Sequence, residues 1–207
     1  MRWLEVRRHS LTKKSNVRGL DSHLSQKGVD LARLVGRSLG PFASVVTSAS
    51  PRAIETALAM GYAVDDTVDL PSGYLPGQIA HHDQWHWPQP YRRYAELLAQ
   101  LPELAAVAYA HRELWTRMLA AVPDGTTVLV VSHGGGIEPG LVIACRTPTT
   151  PHGARRSATA TAHAYASTKA VSSTSSSTGS RTCRTDSMTS MPASSNAARA
   201  GGLIAVG

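Results

Sequence analysis

Three short segments, far apart in the chain, carry the residue types of an anion site. Arg8-His9-Ser10 is the first, Ser48-Ala49-Ser50-Pro51-Arg52 the second, and Ser132-His133-Gly134-Gly135 the third. Each reads as a strand end, an arginine or histidine, and a helix start. Two guanidinium groups, two imidazoles and helix N-termini gathered at one sheet edge would bind a phosphoryl group densely. Arginine offers paired N–H donors to phosphate oxygens, and the first turn of a helix adds a partial positive end. Taken singly, His9 or Arg52 would be an ordinary surface side chain; the repetition of one logic in three places points to function.

The elements that must position these residues can be read around them. Trp3, Leu4 and Val6 form a short apolar segment ending in Arg7-Arg8-His9, a strand that delivers residues to its C-terminal edge. Arg7 lies on the opposite side of that strand from Arg8 and is expected to be structural. Leu24-Ser25-Gln26-Lys27-Gly28 opens a helical pattern, with Val29, Leu31, Leu34, Val35 and Leu39 spaced for one buried face, stopped by Gly40-Pro41. Val45-Val46 suggests a short strand. Ser50-Pro51 begins a second helix through Ile54, Ala57 and Leu58, with proline in the first turn. Two helical patterns follow over residues 91–101 and 103–122. Thr127 to Val131 is a β-branched apolar run suited to a parallel sheet, and Ile137 to Ala144 is a short apolar segment. Strands alternating with helices predict an α/β fold, a three-layer α/β/α sandwich with a mostly parallel central sheet.

With the segments in place, a family pattern emerges. The chain resembles the histidine phosphatase superfamily, the phosphoglycerate-mutase-like fold, over roughly residues 1–144. Arg8-His9 is similar to that family's Arg-His-Gly signature, with Ser10 in the glycine position and Thr12 at the usual threonine. Leu24 to Gly28 is similar to its Leu-Thr-x-x-Gly helix start, Ser48 to Ala57 to its Ser-x-x-x-Arg-Ala-x-x-Thr-Ala segment, and Ser132-His133-Gly134 to its second histidine. The resemblance implies that His9 accepts the phosphoryl group and that Arg8, Ser10, Arg52 and His133 serve the phosphoryl oxygens. An imidazole must be neutral to attack. Its reference pKa is near ~6.5, and neighbouring arginines push it lower. The same positive groups stabilise charge on the transferring phosphoryl, so no metal or cofactor is required. Leu11, where mutases of the family carry glutamate, favours the phosphatase branch.

Residues 65–90 are irregular and rich in Gly, Pro, His and Trp, as suits a loop covering the substrate. The family draws its general acid from this region. Asp83 is the nearest candidate here and His82 the second. His81, His82, Asp83 and His86 could be read as a metal cluster, but the interleaved Trp85 and Trp87 and the lack of a second ligand group favour a lid. Because the acid departs from the family pattern, a catalytically inactive phosphate-binding relative stands as the alternative to a phosphomonoester hydrolase.

Composition divides the chain. Of the formal net charge of +7, a surplus of five lies beyond Thr147, where Arg155, Arg156, Lys169, Arg181, Arg184 and Arg199 face the single acid Asp186. The basic character therefore belongs to residues 145–207, a Ser/Thr/Ala/Arg-rich tail, and argues poorly for nucleic acid as partner; a salt-sensitive binder that fails without the tail is a distant third reading. Too few bulky residues remain there to offset the ordering entropy, so the tail is expected to be disordered and the C-terminal part of the domain missing or non-native, leaving a sheet edge bare. Read one frame out with permissive third bases, the stretch from Ala144 yields an alternating apolar run of strand type, which suggests a frameshift from about Cys145. Cys145 and Cys183 lack CxxC spacing, so neither zinc nor a disulfide framework is indicated. The charged N-terminus lacks a signal run and nothing approaches a membrane span, so a cytoplasmic enzyme acting on a small phosphorylated substrate or a phosphoprotein is expected.

Overall fold

The computed structural model describes residues 1–13, 22–145, 183–185 and 201–206. Strand β1 (Arg2–Arg8) leads to helix α1 (Gln26–Gly36), β2 (Ser44–Thr47), α2 (Pro51–Ala59) and a short β3 (Asp66–Thr67). Then come α3 (Pro90–Gln100), α4 (Pro102–Ala120), β4 (Thr127–Ser132) and α5 (Gly134–Cys145). Two further strands, β5 (Cys183–Thr185) and β6 (Gly201–Val206), complete a sheet of order β3-β2-β4-β1-β6-β5. Its first four strands are parallel; β6 runs antiparallel to β1, and β5 antiparallel to β6.

Successive residues of β4 sort into opposite faces, as strand geometry demands. Val128 and Val130 join Leu4 and Val6 against Trp115 and Leu119 of α4 and Ile137 and Leu141 of α5. Leu129 and Val131 turn the other way, with Val45, onto Ala32 of α1 and Ala53 and Ala57 of α2. Helices therefore cover both faces, and the three-layer arrangement is as expected. A third apolar cluster, with Ile79, Tyr94, Leu97, Leu104 and Ile143, lies beneath the 65–90 segment.

Two helices depart from the expected packing, both because of glycine. In α1 the residues that bury are Gly28, Ala32 and Gly36, while Leu34 is 62% exposed. Ser25 caps the helix by accepting the Gly28 N–H (3.1 Å), and the backbone then lies so close to its neighbours that bulk is excluded. A Cβ on Gly28 would stand 2.0 Å from the Leu11 carbonyl oxygen, and one on Gly36 2.0 Å from that of Met60. Close backbone approach, not an apolar stripe, sets the face. The glycine run after His133 is likewise helical. The rings of Tyr74, His111 and Trp115 lie directly against Gly135, Gly136 and Gly140, where added Cβ atoms would come within 2.6, 2.3 and 2.7 Å.

The bare edge expected beside β1 is also corrected: Gly201–Val206 lies along it, with Leu4 opposite Ile204. The reason is compositional, since this run, including Leu203, Ile204 and Val206, is the one apolar, partly β-branched stretch in the tail. Apart from Cys145 and Cys183–Thr185, the rest of that tail lies outside the described residues. Cys145, ending α5, is disulfide-bonded, which the bare pair of cysteines does not announce.

Candidate active site

Parallel register brings the three segments to one edge. Arg8 pairs with Ser132 in the β1–β4 ladder, and Thr47 with Val131 in the β2–β4 ladder. The next backbone groups continue the pattern: the His9 N–H donates to the Ser132 carbonyl (2.9 Å) and the Ser48 N–H to that of Val131 (3.0 Å). His9, Ser48 and His133 thus leave adjacent strands at the same level. Pro51 starts α2 and Gly134 starts α5, so the first turns of both helices meet there.

Hydrogen bonds fix the state of each imidazole. His9 Nδ1 lies 2.8 Å from the Ser10 carbonyl oxygen, which can only accept, so Nδ1 carries the proton and Nε2 keeps its lone pair. Burial, with help from Arg8, His133 and Arg52, lowers the His9 pKa to about 3, against the raising effect of the Ser10 bond. His9 is neutral at physiological pH, with its nucleophilic nitrogen free of a proton. In His133, Nδ1 accepts from Arg52 Nη2 (3.3 Å), so Nε2–H donates to Ser48 Oγ (2.8 Å). Burial and the two arginines lower its pKa to about 4. The two rings stand 5.3 Å apart at 60°. Arg52 also donates to Ser22 Oγ (2.9 Å), and burial, with the like charge of Arg8 adding to it, lowers its pKa.

The other expected site residues separate. Ser10 is buried and committed to the scaffold: its N–H donates to Thr56 Oγ1 (2.9 Å) and its hydroxyl to the Gly28 carbonyl (2.7 Å). That bond joins β1's end to α1 at its point of closest approach, and draws the hydroxyl away from the place where oxyanions would sit. Arg7 pairs with Glu5, the structural role its side of the strand suggested. Asp83 opens a single 3₁₀ turn and its carboxylate accepts the Ala80 N–H (3.2 Å), bound into its own turn. Its neighbour is the residue that reaches the site. His82 has a left-handed backbone (φ 71°), which swings its ring onto Arg8: Arg8 Nη2 donates to His82 Nε2 (3.1 Å). The His82 ring stacks on Trp85 at 3.7 Å, and the Arg8 guanidinium lies over the same indole at 4.7 Å. Groups on opposite faces of one indole could not also touch, so both share a face.

One residue near the site escaped the sequence reading altogether. Glu138 lies in the second turn of α5, only 7% exposed, and its Oε2 has no hydrogen-bonding protein partner. Burial raises its pKa to about 7, with Arg8 pulling the other way. The signal was present, a lone carboxylate inside an otherwise apolar segment directly after the second histidine.

No family model matches the chain, and no curated protein matches it. Among solved structures the chain is similar to phosphoserine phosphatase from Entamoeba histolytica in complex with 3-phosphoglyceric acid. That match has 16% identity and a TM-score of 0.46, over 69% of this chain and 78% of that one. It is also similar to a mycobacterial glucosyl-3-phosphoglycerate phosphatase, with 24% identity and a TM-score of 0.46, over 69% of this chain and 79% of the other.

Proposed function

We propose that the chain hydrolyses phosphomonoesters through a phosphohistidine on His9. What carries this reading is the tautomer of His9: with Nδ1–H held by the Ser10 carbonyl, Nε2 is an unprotonated nucleophile facing two arginines and a second histidine. In the first step Nε2 forms a bond to phosphorus as the ester P–O bond breaks, and the leaving oxygen takes up a proton. In the second, water attacks the phosphohistidine, the P–N bond breaks, and inorganic phosphate leaves. Arg8 and Arg52 hold the equatorial oxygens beside His133, the electrostatic work that dominates phosphoryl transfer. We assign leaving-group protonation to the Nδ1–H of His82, whose Nε2 accepts from Arg8, in place of Asp83, whose carboxylate is spent within its turn.

The substrate is a small phosphorylated molecule taken beneath the 65–90 segment, and the compartment the cytoplasm; among the described residues no helix is long and apolar enough to cross a membrane. Residues 1–144 form the catalytic unit, and 145–207 is a low-complexity extension arising from a shifted reading frame, which sequencing the coding DNA tests. The alternative, a phosphate-binding relative without turnover, is favoured by Asp83, whose carboxylate is held by the Ala80 N–H of its own turn. One experiment separates them: hydrolysis of an aryl phosphate without added metal, by the wild type and by His9→Ala. Turnover that disappears in the variant supports the enzyme, whereas a folded wild type without turnover supports the binding module.

A further inference from the structure

Glu138 is a buried carboxylate beside the phosphate pocket for which the reaction has no use. Its place is fixed by Gly134. A Cβ built on that glycine would stand 2.9 and 3.3 Å from the two Glu138 carboxylate oxygens and 3.2 Å from Arg8 Nη1. The carboxyl and the guanidinium therefore converge on one bare Cα, from within α5 and from the end of β1. Arg8 has one edge on His82 and one face on Trp85, and its other terminal nitrogen lies, like the Glu138 carboxyl, against Gly134. Only glycine at 134 leaves room for both.

From this convergence, and resting on the phosphate-pocket reading above, we propose that Glu138 governs oxyanion binding from behind Arg8. Neutral, it leaves the full guanidinium charge to the bound phosphoryl group; ionised, it shares that charge and opposes a second anion nearby. The surroundings support a group that changes state. Facing Glu138 are Arg8 from β1, Gln84 from the 3₁₀ turn, Tyr74 from the preceding loop and Tyr94 from α3. Arg8 is the one permanent charge among them. Burial raises the pKa of Tyr74 and Tyr94, so both hydroxyls stay neutral, and His111 of α4 packs instead on Gly136 and Gly140. One guanidinium cannot fully compensate a buried carboxylate and a bound dianion at once. Binding and protonation are then linked and reciprocal: a dianion on Arg8 favours the neutral carboxyl, and the neutral carboxyl favours the dianion.

Sulfate serves as probe, because it is a tetrahedral dianion that does not itself titrate near neutrality. Its affinity is measured by calorimetry for the wild type and Glu138→Gln, at about pH 6 and pH 8. The variant, a neutral isostere, should match the wild type at the lower pH and bind at least about fivefold tighter at the higher one. A general disturbance of packing would move both values alike, so a variant-to-wild-type ratio unchanged between the two pH values overturns the role of Glu138. Wild type that binds no sulfate at either pH overturns the pocket reading itself, and this inference with it. Should Glu138→Gln fail to fold, the wild type alone decides. Calorimetry in buffers of different ionisation enthalpy should show proton uptake on sulfate binding at about pH 7.5; no uptake refutes the linkage.

Discussion

Replacing His9 by asparagine should change the response of the fold to acid in a way that can be calculated. In the folded chain the His9 pKa is about 3; in the unfolded chain it returns to the ordinary histidine value of about 6.5. A base whose folded pKa is depressed contributes stability above its unfolded pKa, and that stability is lost as pH falls toward the folded value. At about pH 4.5 the unfolded chain has gained a proton that the folded chain still refuses, two units below 6.5, which costs about 2.7 kcal/mol at ~1.4 kcal/mol per unit. His133, lowered to about 4, acts in the same sense, while Glu138, raised to about 7, acts in the opposite one. Those two contributions are common to both proteins and largely cancel in the comparison. Denaturant unfolding at about pH 7.5 and pH 4.5 gives the four free energies needed. Whatever asparagine costs at neutral pH, its stability relative to the wild type should rise by about 2–3 kcal/mol on acidification. Parallel curves for the two proteins would refute the buried, neutral state of His9 and with it the argument that Nε2 is ready to attack.

Gly28→Ala should destabilise the fold by about 2 kcal/mol or more, seen as a lower Tm, because the new methyl meets the Leu11 backbone carbonyl rather than a yielding side chain. Arg8→Lys keeps the charge but loses the planar fork and the indole stack, so kcat/KM for an aryl phosphate should fall about 10- to 100-fold, and retained activity would remove Arg8 from the oxyanion site. His82→Ala should slow an alkyl phosphate far more than a nitrophenyl phosphate, whose leaving group needs no proton. Equal losses on the two substrates would withdraw the acid role from His82.

How far the sequence could be read depended on the range of the interaction involved. Arg8, His9, Arg52 and His133 were legible because each sits at a strand end or helix start whose local pattern is clear, and the parallel ladder gathers them without further instruction. The continuous β-branched apolar run from Thr127 to Val131 was sufficient for a strand buried on both faces. What failed was contact between elements. Leu34 looks like a core residue until Gly28 and Gly36 draw the helix backbone against Leu11 and Met60 and rotate the leucine outward. Asp83 reads as the first candidate acid and the adjacent His82 as the second; the left-handed turn at His82 is what brings its ring to Arg8. Ser10 occupies a motif position, but its hydroxyl answers a carbonyl in α1. Glu138 went unread because its meaning depends on Arg8, brought to it from the far end of the sequence.

The position of β1 has a kinetic consequence. It is the first element in the chain, yet it lies inside the sheet, between β4 and β6, with Trp3 opposite Thr127 and Ala205. Neither neighbour exists when β1 leaves the ribosome. At about 5–20 residues per second, roughly six seconds or more pass before β4 follows. During that time Leu4 and Val6 have no apolar surface to meet, and closing the long loop to β4 is an entropic barrier that no local helix can lower. Folding of this protein should therefore wait on synthesis of its third quarter, and the nascent N-terminal strand is the segment with most need of a chaperone.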